Sequence, residues 1–328
     1  MYTKGKKEMD MTQTILNVEN LSKTFSTKNS QIDVVRDVNF EVNRGEIFGF
    51  LGPNGAGKTT TMGMLTTQIR PTSGEIILAE KSIWGNLTDT RKRISIVTQH
   101  NNLDRGLTAR ENLLFHARYF NLPSDEAAKR ADRFLDLMDL TERADDRVVN
   151  FSGGMAQRLK IARALMHDPD ILFLDEPTTG LDPQSRVLLW EEIKKLNAQG
   201  TTIFLTTHYM EEPEQLCDRV AILHEGQLKA LNTPEELKKL VPGQNVVSVR
   251  TGDVRDELLS EAKTLPEVED ATAEMGTLRF YMKDATPDLG ELVKWLRSQD
   301  VNILSMNLHL STLNDVFVHL TGKGLEQR

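Results

Sequence analysis

One stretch, Gly52-Pro53-Asn54-Gly55-Ala56-Gly57-Lys58-Thr59-Thr60, restricts this chain to a small set of folds. It follows an apolar run, 47–51, that reads as a buried strand, and it opens into 61–65, which reads as a helix. The pattern G-x-x-x-x-G-K-T between a strand and a helix is that of a phosphate-binding loop. Its glycines let the backbone curl so that successive N–H groups converge on an anion. The helix that follows adds its positive N-terminal end. Lys58 can reach the β- and γ-phosphates, and the Thr59 hydroxyl can ligate Mg²⁺. The chain is therefore expected to bind a nucleoside triphosphate.

A length of 328 residues allows two domains. With 39% hydrophobic and 27% charged residues, the composition is that of an ordinary globular protein. No apolar run approaches the roughly 18 residues that cross a bilayer. Lys4, Lys6 and Lys7 have no apolar core behind them, so the start does not read as a signal peptide, and residues 1–12 read as a loose extension. A formal net charge of −8 argues against a protein that coats nucleic acid. The single cysteine, Cys217, excludes internal disulfides and zinc clusters, suits a reducing cytosol, and reads as a small buried residue beside Leu216 and Val220.

Ahead of the phosphate loop, 14–20 and 32–43 read as strands; after its helix, 75–78 and 94–97 are short strand candidates. The texture then turns helical over 109–140. A segment at 110–120 breaks at Pro123, and a second helix starts at Ser124 with an apolar face of Ala127, Ala131, Phe134, Leu135 and Met138. Strands at 171–174, 202–205 and 219–223 then alternate with helices at 183–198 and 210–217, which implies a mostly parallel sheet interrupted by a helical insertion at about 100–165. From 243 a smaller unit follows, with strands at 246–250, 278–282 and 301–308 and helices at 257–263, 289–298 and 313–320. The charged run Glu191-Glu192 and Lys194-Lys195 reads as a solvated helix face.

Two further stretches carry chemistry. Ile171-Leu172-Phe173-Leu174-Asp175-Glu176-Pro177 is a doubly buried strand whose two carboxylates emerge at its carboxyl end, where open α/β sheets bind ligands. Asp175 is placed to hold Mg²⁺, and Glu176 to orient and activate an attacking water. Phe151-Ser152-Gly153-Gly154-Met155-Ala156-Gln157 ends a loop and starts a helix, and its serine precedes Asp175 by 23 residues.

With these pieces in order, residues 14–240 resemble the ATP-binding subunits of ABC transporters, whose signature is usually Leu-Ser-Gly-Gly-Gln; this chain has Phe151 and Met155 at the outer positions. The resemblance implies a P-loop NTPase core with an antiparallel β-subdomain and a helical insertion over 13–240, and a small α+β accessory domain over 243–328. It also implies further roles. Gln99 touches Mg²⁺ and the attacking water, His208 contacts the γ-phosphate, Asp182 speaks across a dimer, and Phe25 stacks on adenine. Ser152, Gly153 and Gly154 would complete the ATP site of a second subunit, so ATP joins two copies and hydrolysis, with Glu176 as base, releases them.

The stretch 99–113 and the tail 313–322 are similar to those of daunorubicin-resistance-type exporter subunits, the ABC-2 class. This resemblance implies a peripheral protein at the cytoplasmic face of the cell membrane, working with a polytopic permease to export a drug, lipid, polysaccharide or ion. Residues 101–119 would meet the permease. The other class of reading is a non-transport ABC ATPase of translation or DNA maintenance. The separation of 94 positions from Lys58 to Ser152 is too short for the chromosome type, and one cassette is too few for the usual translation type.

Overall fold

The structure, a computed structural model, describes residues 13–26, 30–100, 102–243, 245–251, 256–274, 276–283, 287 and 289–322. The expected extension 1–12 and Asn101 lie outside the described residues. The chain opens with β1 (Thr14–Ser26) and β2 (Gln31–Asn43), then β3 (Ile47–Leu51), α1 (Lys58–Leu65), β4 (Ser73–Leu78), β5 (Lys81–Ser82), α2 (Leu87–Arg93) and β6 (Ile94–Val97). β2-β1-β4-β5 form a four-stranded antiparallel sheet.

The helical stretch follows as α3 (Ala109–Tyr119), α4 (Ser124–Leu137) and α5 (Gly153–Leu165). α3 begins with a capping box, in which Thr108 and Glu111 satisfy each other's backbone N–H. Next come β7 (Ile171–Asp175), α6 (Pro183–Ala198), β8 (Thr202–Thr207), α7 (Glu211–Leu216), β9 (Arg219–His224), β10 (Gln227–Asn232) and α8 (Pro234–Lys238).

The central sheet has the order β10-β9-β3-β8-β7-β6, parallel except for the antiparallel edge strand β10. Side-chain alternation along its strands divides the core in two. Phe48, Phe50 and Phe204 join Phe40 in an aromatic cluster between the two sheets, with Phe50 and Phe204 ring centroids 4.9 Å apart. Ile47, Leu51, Leu172, Leu174, Ile203 and Leu205 face the helices. Cys217 is buried. Glu192 departs from the solvated face expected of its helix: it is buried on α6 and accepts a bond from Lys195 at 3.0 Å.

The remaining elements are β11 (Asn245–Thr251), α9 (Asp256–Ala262), β12 (Val268–Glu274), β13 (Thr277–Met282), α10 (Leu289–Ser298), β14 (Ile303–Leu310) and α11 (Leu313–Thr321). The sheet order is β12-β13-β11-β14, all antiparallel. The last strand lies two residues later than its hydrophobic pattern indicated, because Val301 is drawn into the core while Leu310 stays outside. Helices α9 and α10 cover one sheet face through Leu258, Leu292 and Leu296. On the other side α11 packs Leu313, Val316 and Phe317 into the same core as Leu216, Ile222 and Leu237. Glu214 of α7 accepts the Leu313 N–H at 2.7 Å and so ties the tail to the nucleotide-type core.

Candidate functional site

Strand register places the chemistry. Leu51 lies beside Thr207, and Asp175 beside Thr206, while Val97 lies beside Leu174. The ends of β3, β8, β7 and β6 therefore reach one rim of the sheet. From that rim emerge the 52–60 loop, His208, Asp175-Glu176 and Gln99 in turn.

The 52–60 loop is shaped by its glycines. Gly57 has φ 102, a left-handed conformation, and a Cβ there would stand 2.8 Å from the Val34 carbonyl of β2. The loop thus presses against the antiparallel sheet in a way that only glycine permits. Gly57 caps α1 without a side-chain bond, and the first N–H groups of a helix have no partner within it. Lys58 is buried and donates to the carbonyls of Gly52 at 2.6 Å and Pro53 at 3.0 Å. Burial pulls its pKa down, opposed by the charges of Glu176 and then Asp175. Thr59 is exposed at the head of α1, Thr60 follows it in the helix, and Pro53, Asn54, Gly55 and Ala56 complete the turn that leads in.

The carboxylates are held by threonines that sequence reasoning missed. The Thr206 hydroxyl donates to Asp175 Oδ1 at 2.6 Å, and the Glu176 N–H donates to the Thr206 carbonyl at 3.0 Å. Thr179 donates to Glu176 Oε2 at 3.2 Å. Glu176 has φ 47, a left-handed conformation uncommon outside glycine, and these bonds keep it there. Its Oε1 lies 3.8 Å from Lys58 Nζ and 3.1 Å from His208 Nδ1. The second approach is close without the alignment of a hydrogen bond, and His208 Nδ1 is buried with no other partner among the described residues. Thr206 is the residue directly across from Asp175 on β8, a pairing visible only once the strands are in register.

These groups converge, and others do not join them. Ser152 caps α5, its hydroxyl accepting the Met155 N–H at 3.2 Å. Phe151 and Met155 are half-buried against the core, so the two unusual signature residues serve as packing. A Cβ on Gly154 would come within 3.0 Å of Ser185 Oγ, so this turn is fitted against the start of α6. Asp182 caps α6, accepting from Ser185 N at 2.9 Å and Oγ at 2.6 Å, and these bonds, the hydroxyl's first, lower its pKa. Among the described residues, no hydrogen bond or ion pair links Ser152, Gly153, Gly154 or Asp182 to Lys58, Asp175, Glu176 or His208. The Gln99 side chain is exposed, but its loop is fixed by the buried Lys160 ammonium, which donates to the Thr98 carbonyl at 2.8 Å. Phe25 lies on β1 with 40% of its surface exposed and Lys23 5.0 Å above its ring.

Away from the rim, a cavity of 790 Å³ runs between the sheet and the helical stretch. Among the described residues Arg91, Lys92, Lys160 and Arg163 line it and no carboxylate does. Inside it, His167 stacks on Phe120 with centroids 3.8 Å apart, and burial, then His167 and Arg163, push the His116 pKa down to about 4.

Comparison with known proteins follows the same lines. The family described as ABC transporter matches residues 35–179, and the family described as ATP-binding protein DrrA1-3-like, C-terminal domain, matches 233–321. The chain is 42% identical over 313 residues to the Nod factor export ATP-binding protein I of Ralstonia nicotianae, covering 94% of each. It is 36% identical over 313 residues to the linearmycin resistance ATP-binding protein LnrL of Bacillus subtilis, covering 95% of this chain and 99% of that one. A solved structure of cbiO1 from Clostridium perfringens, part of an ABC transporter complex, aligns with a TM-score of 0.64 at 28% identity, over 77% of this chain and 96% of that one. A dimeric, post-hydrolysis ATP-binding cassette bound to ADP and Pi aligns with a TM-score of 0.60 at 29% identity, over 66% of this chain and 98% of that one.

Proposed function

We propose, from the premise that this chain belongs to the ABC transporter family as an ATP-binding subunit and ATPase, that two copies close around ATP and that hydrolysis reopens them. The observation that carries this reading is the division of the site. Lys58, Asp175, Glu176 and His208 converge at one rim, while Ser152–Gly154 caps a separate helix with no hydrogen bond or ion pair to them among the described residues. A second copy would bring its Ser152, Gly153 and Gly154 to that rim, with Asp182 at the joint.

The chain's own residues supply the chemistry as follows. The 52–60 loop and the head of α1 bind the phosphates through backbone N–H groups, and Lys58 leaves its loop carbonyls for the β- and γ-phosphates. Glu176, fixed by Thr206 and Thr179, takes a proton from the attacking water at a carboxylate oxygen, and His208 bonds the γ-phosphate. Phe25 stacks on the adenine. Thr59, Asp175 and Gln99 make an oxygen-only donor set, and Asp175 keeps one oxygen without a partner among the described residues, which suits Mg²⁺. When bound, that ion neutralises phosphate charge. Positioning and electrostatic stabilisation provide most of the acceleration.

The partner is a polytopic membrane subunit, with this chain peripheral on its cytoplasmic side; among the described residues no helix is long and apolar enough to cross a membrane. The cationic cavity beside α3 is where a cytoplasmic helix of that subunit docks. Relatives named for Nod factor export and linearmycin resistance support outward transport of a drug, lipid, polysaccharide or ion. They also favour this reading over a non-transport ATPase.

Ser152→Ala tests the divided site. Nucleotide affinity of the single copy should stay within about threefold of wild type, while ATP-driven dimerisation, read by light scattering, weakens about tenfold or more, as loss of a charge-assisted bond requires. Dimerisation unchanged by the substitution would contradict the shared site.

A further inference from the structure

The three sheets present six edge strands: β2, β5, β10, β6, β12 and β14. An open edge invites pairing with another chain, and proteins blunt it with charge, proline or short length. Asp33, Arg36, Asp37 and Glu41 guard β2; Lys81 guards β5; Lys229 guards β10; Glu269, Asp270 and Glu274 guard β12. β6 has only 4 residues. β14 has 8 residues with no Asp, Glu, Lys, Arg or Pro, and none of these occurs from Val301 to Thr312. Among the described residues its one strand partner is β11.

The face of β14 is as unusual as its edge. Leu308 stands opposite Val247 and Met306 opposite Val249, both core residues beneath α9 and α10. By alternation Leu310 shares that face, and Leu304 joins it at the irregularity between Arg250 and Thr251. The two helices reach Met306 but leave the rest of this stripe open: Leu304, Leu308 and Leu310 are 60%, 41% and 71% exposed. Ser305, Asn307 and His309 face the other side, where His309 meets Asp315 of α11 at 3.2 Å.

We propose that β14 is the contact to a second copy of this chain, the two strands pairing antiparallel about a twofold axis through Asn307. That register pairs the whole stripe. Met306 meets Leu308 of the second copy on both sides of the axis, and Leu304 meets Leu310 at the ends. On the opposite face Ser305 meets His309. Apolar therefore meets apolar and polar meets polar, which a sheet requires of its cross-strand pairs. The pairing also closes: it consumes both open edges and leaves an extended sheet bounded by two charged β12 strands. A single strand pair is smaller than the roughly 1,200–2,000 Å² of a standard stable interface, so this contact is a weak clamp that raises the effective concentration of the two cassettes. It needs no nucleotide, so it stands or falls separately from the ATP-driven closure above.

Asn307→Cys in the full chain tests it. Across the axis two such residues lie about 4.5–5.5 Å apart at Cα, within the roughly 4.4–6.8 Å of a disulfide. Ser305→Cys is the control, since its counterparts stand about 13 Å apart in this register. The native Cys217 is buried and does not interfere. Under mild oxidation without nucleotide, Asn307→Cys should form the linked dimer about tenfold faster or more than Ser305→Cys. Adding Leu304→Lys and Leu308→Lys, both at exposed positions, should slow it by about tenfold or more, with the circular dichroism unchanged. Equal rates for the two cysteine variants, or a rate indifferent to the lysines, would overturn the proposal.

Discussion

Replacing Glu176 by Gln isolates the charge at the centre of the site. Gln keeps the size of the side chain and one acceptor oxygen for Thr179, so the strained backbone at φ 47 retains its supports. The carboxylate is lost 3.8 Å from Lys58 and 3.1 Å from His208. At the effective dielectric of a partly buried site, the first of these attractions is about 4 kcal/mol in magnitude. Removing it frees Lys58 for a phosphate, so ATP binding to a single copy should hold or strengthen. Losing the general base costs about 10²–10⁴ in rate, or roughly 3–5 kcal/mol of barrier. Steady-state phosphate release should therefore fall at least about 100-fold, while size-exclusion chromatography with ATP shows an accumulating dimer. Turnover within about tenfold of wild type would refute Glu176 as the base. Loss of turnover together with loss of nucleotide binding would refute the separation of binding from proton transfer.

Thr206→Val removes the hydroxyl that donates to the Asp175 carboxylate and accepts the Glu176 backbone N–H; it should cost about 1–3 kcal/mol in urea unfolding and lower turnover with ATP affinity nearly intact. Gly57→Ala forces a Cβ into a left-handed residue 2.8 Å from a carbonyl, and should cost about 1–3 kcal/mol of stability and most nucleotide affinity, read by melting and by a fluorescent nucleotide. His116 gives a pH dependence of definite sign. Its folded pKa is about 4 because burial disfavours the charged ring, whereas the unfolded chain takes its proton near the ordinary value of 6.5. Unfolding therefore gains protons across that window, and stability falls as the pH drops from 6.5 towards 4. His116→Gln should lose less stability than wild type between those limits, by up to about 3 kcal/mol in urea midpoints. Parallel pH profiles would show that the ring is not held neutral.

The phosphate loop, the strand carrying Asp175 and the parallel alternation were legible because each is a local pattern: a glycine spacing, an unbroken apolar run, a change of period. β5, α2, β10, α8 and β12 were not, since they are short or polar and exist only because neighbouring strands accept them. Thr206 was invisible for a different reason. It matters through the cross-strand register with Asp175, which no single stretch of sequence states. Glu192 misled because its neighbours Glu191 and Lys194 suggest solvent, while its own position on α6 faces inward. The seating of α11 against α7 and α8 likewise rests on contacts distant in sequence, the packing of Val316 and Phe317 with Leu216 and Leu237 and the bond from Leu313 to Glu214.

The central claim is that this ATPase drives a membrane partner, and the most direct measurement is its isolation from gently solubilised native membranes with identification of what accompanies it. A polytopic membrane protein in fixed ratio, released when Arg163 in the cationic cavity is changed to Glu, is the predicted result. Recovery from the soluble fraction alone, or with ribosomes or DNA in place of a membrane subunit, would contradict it.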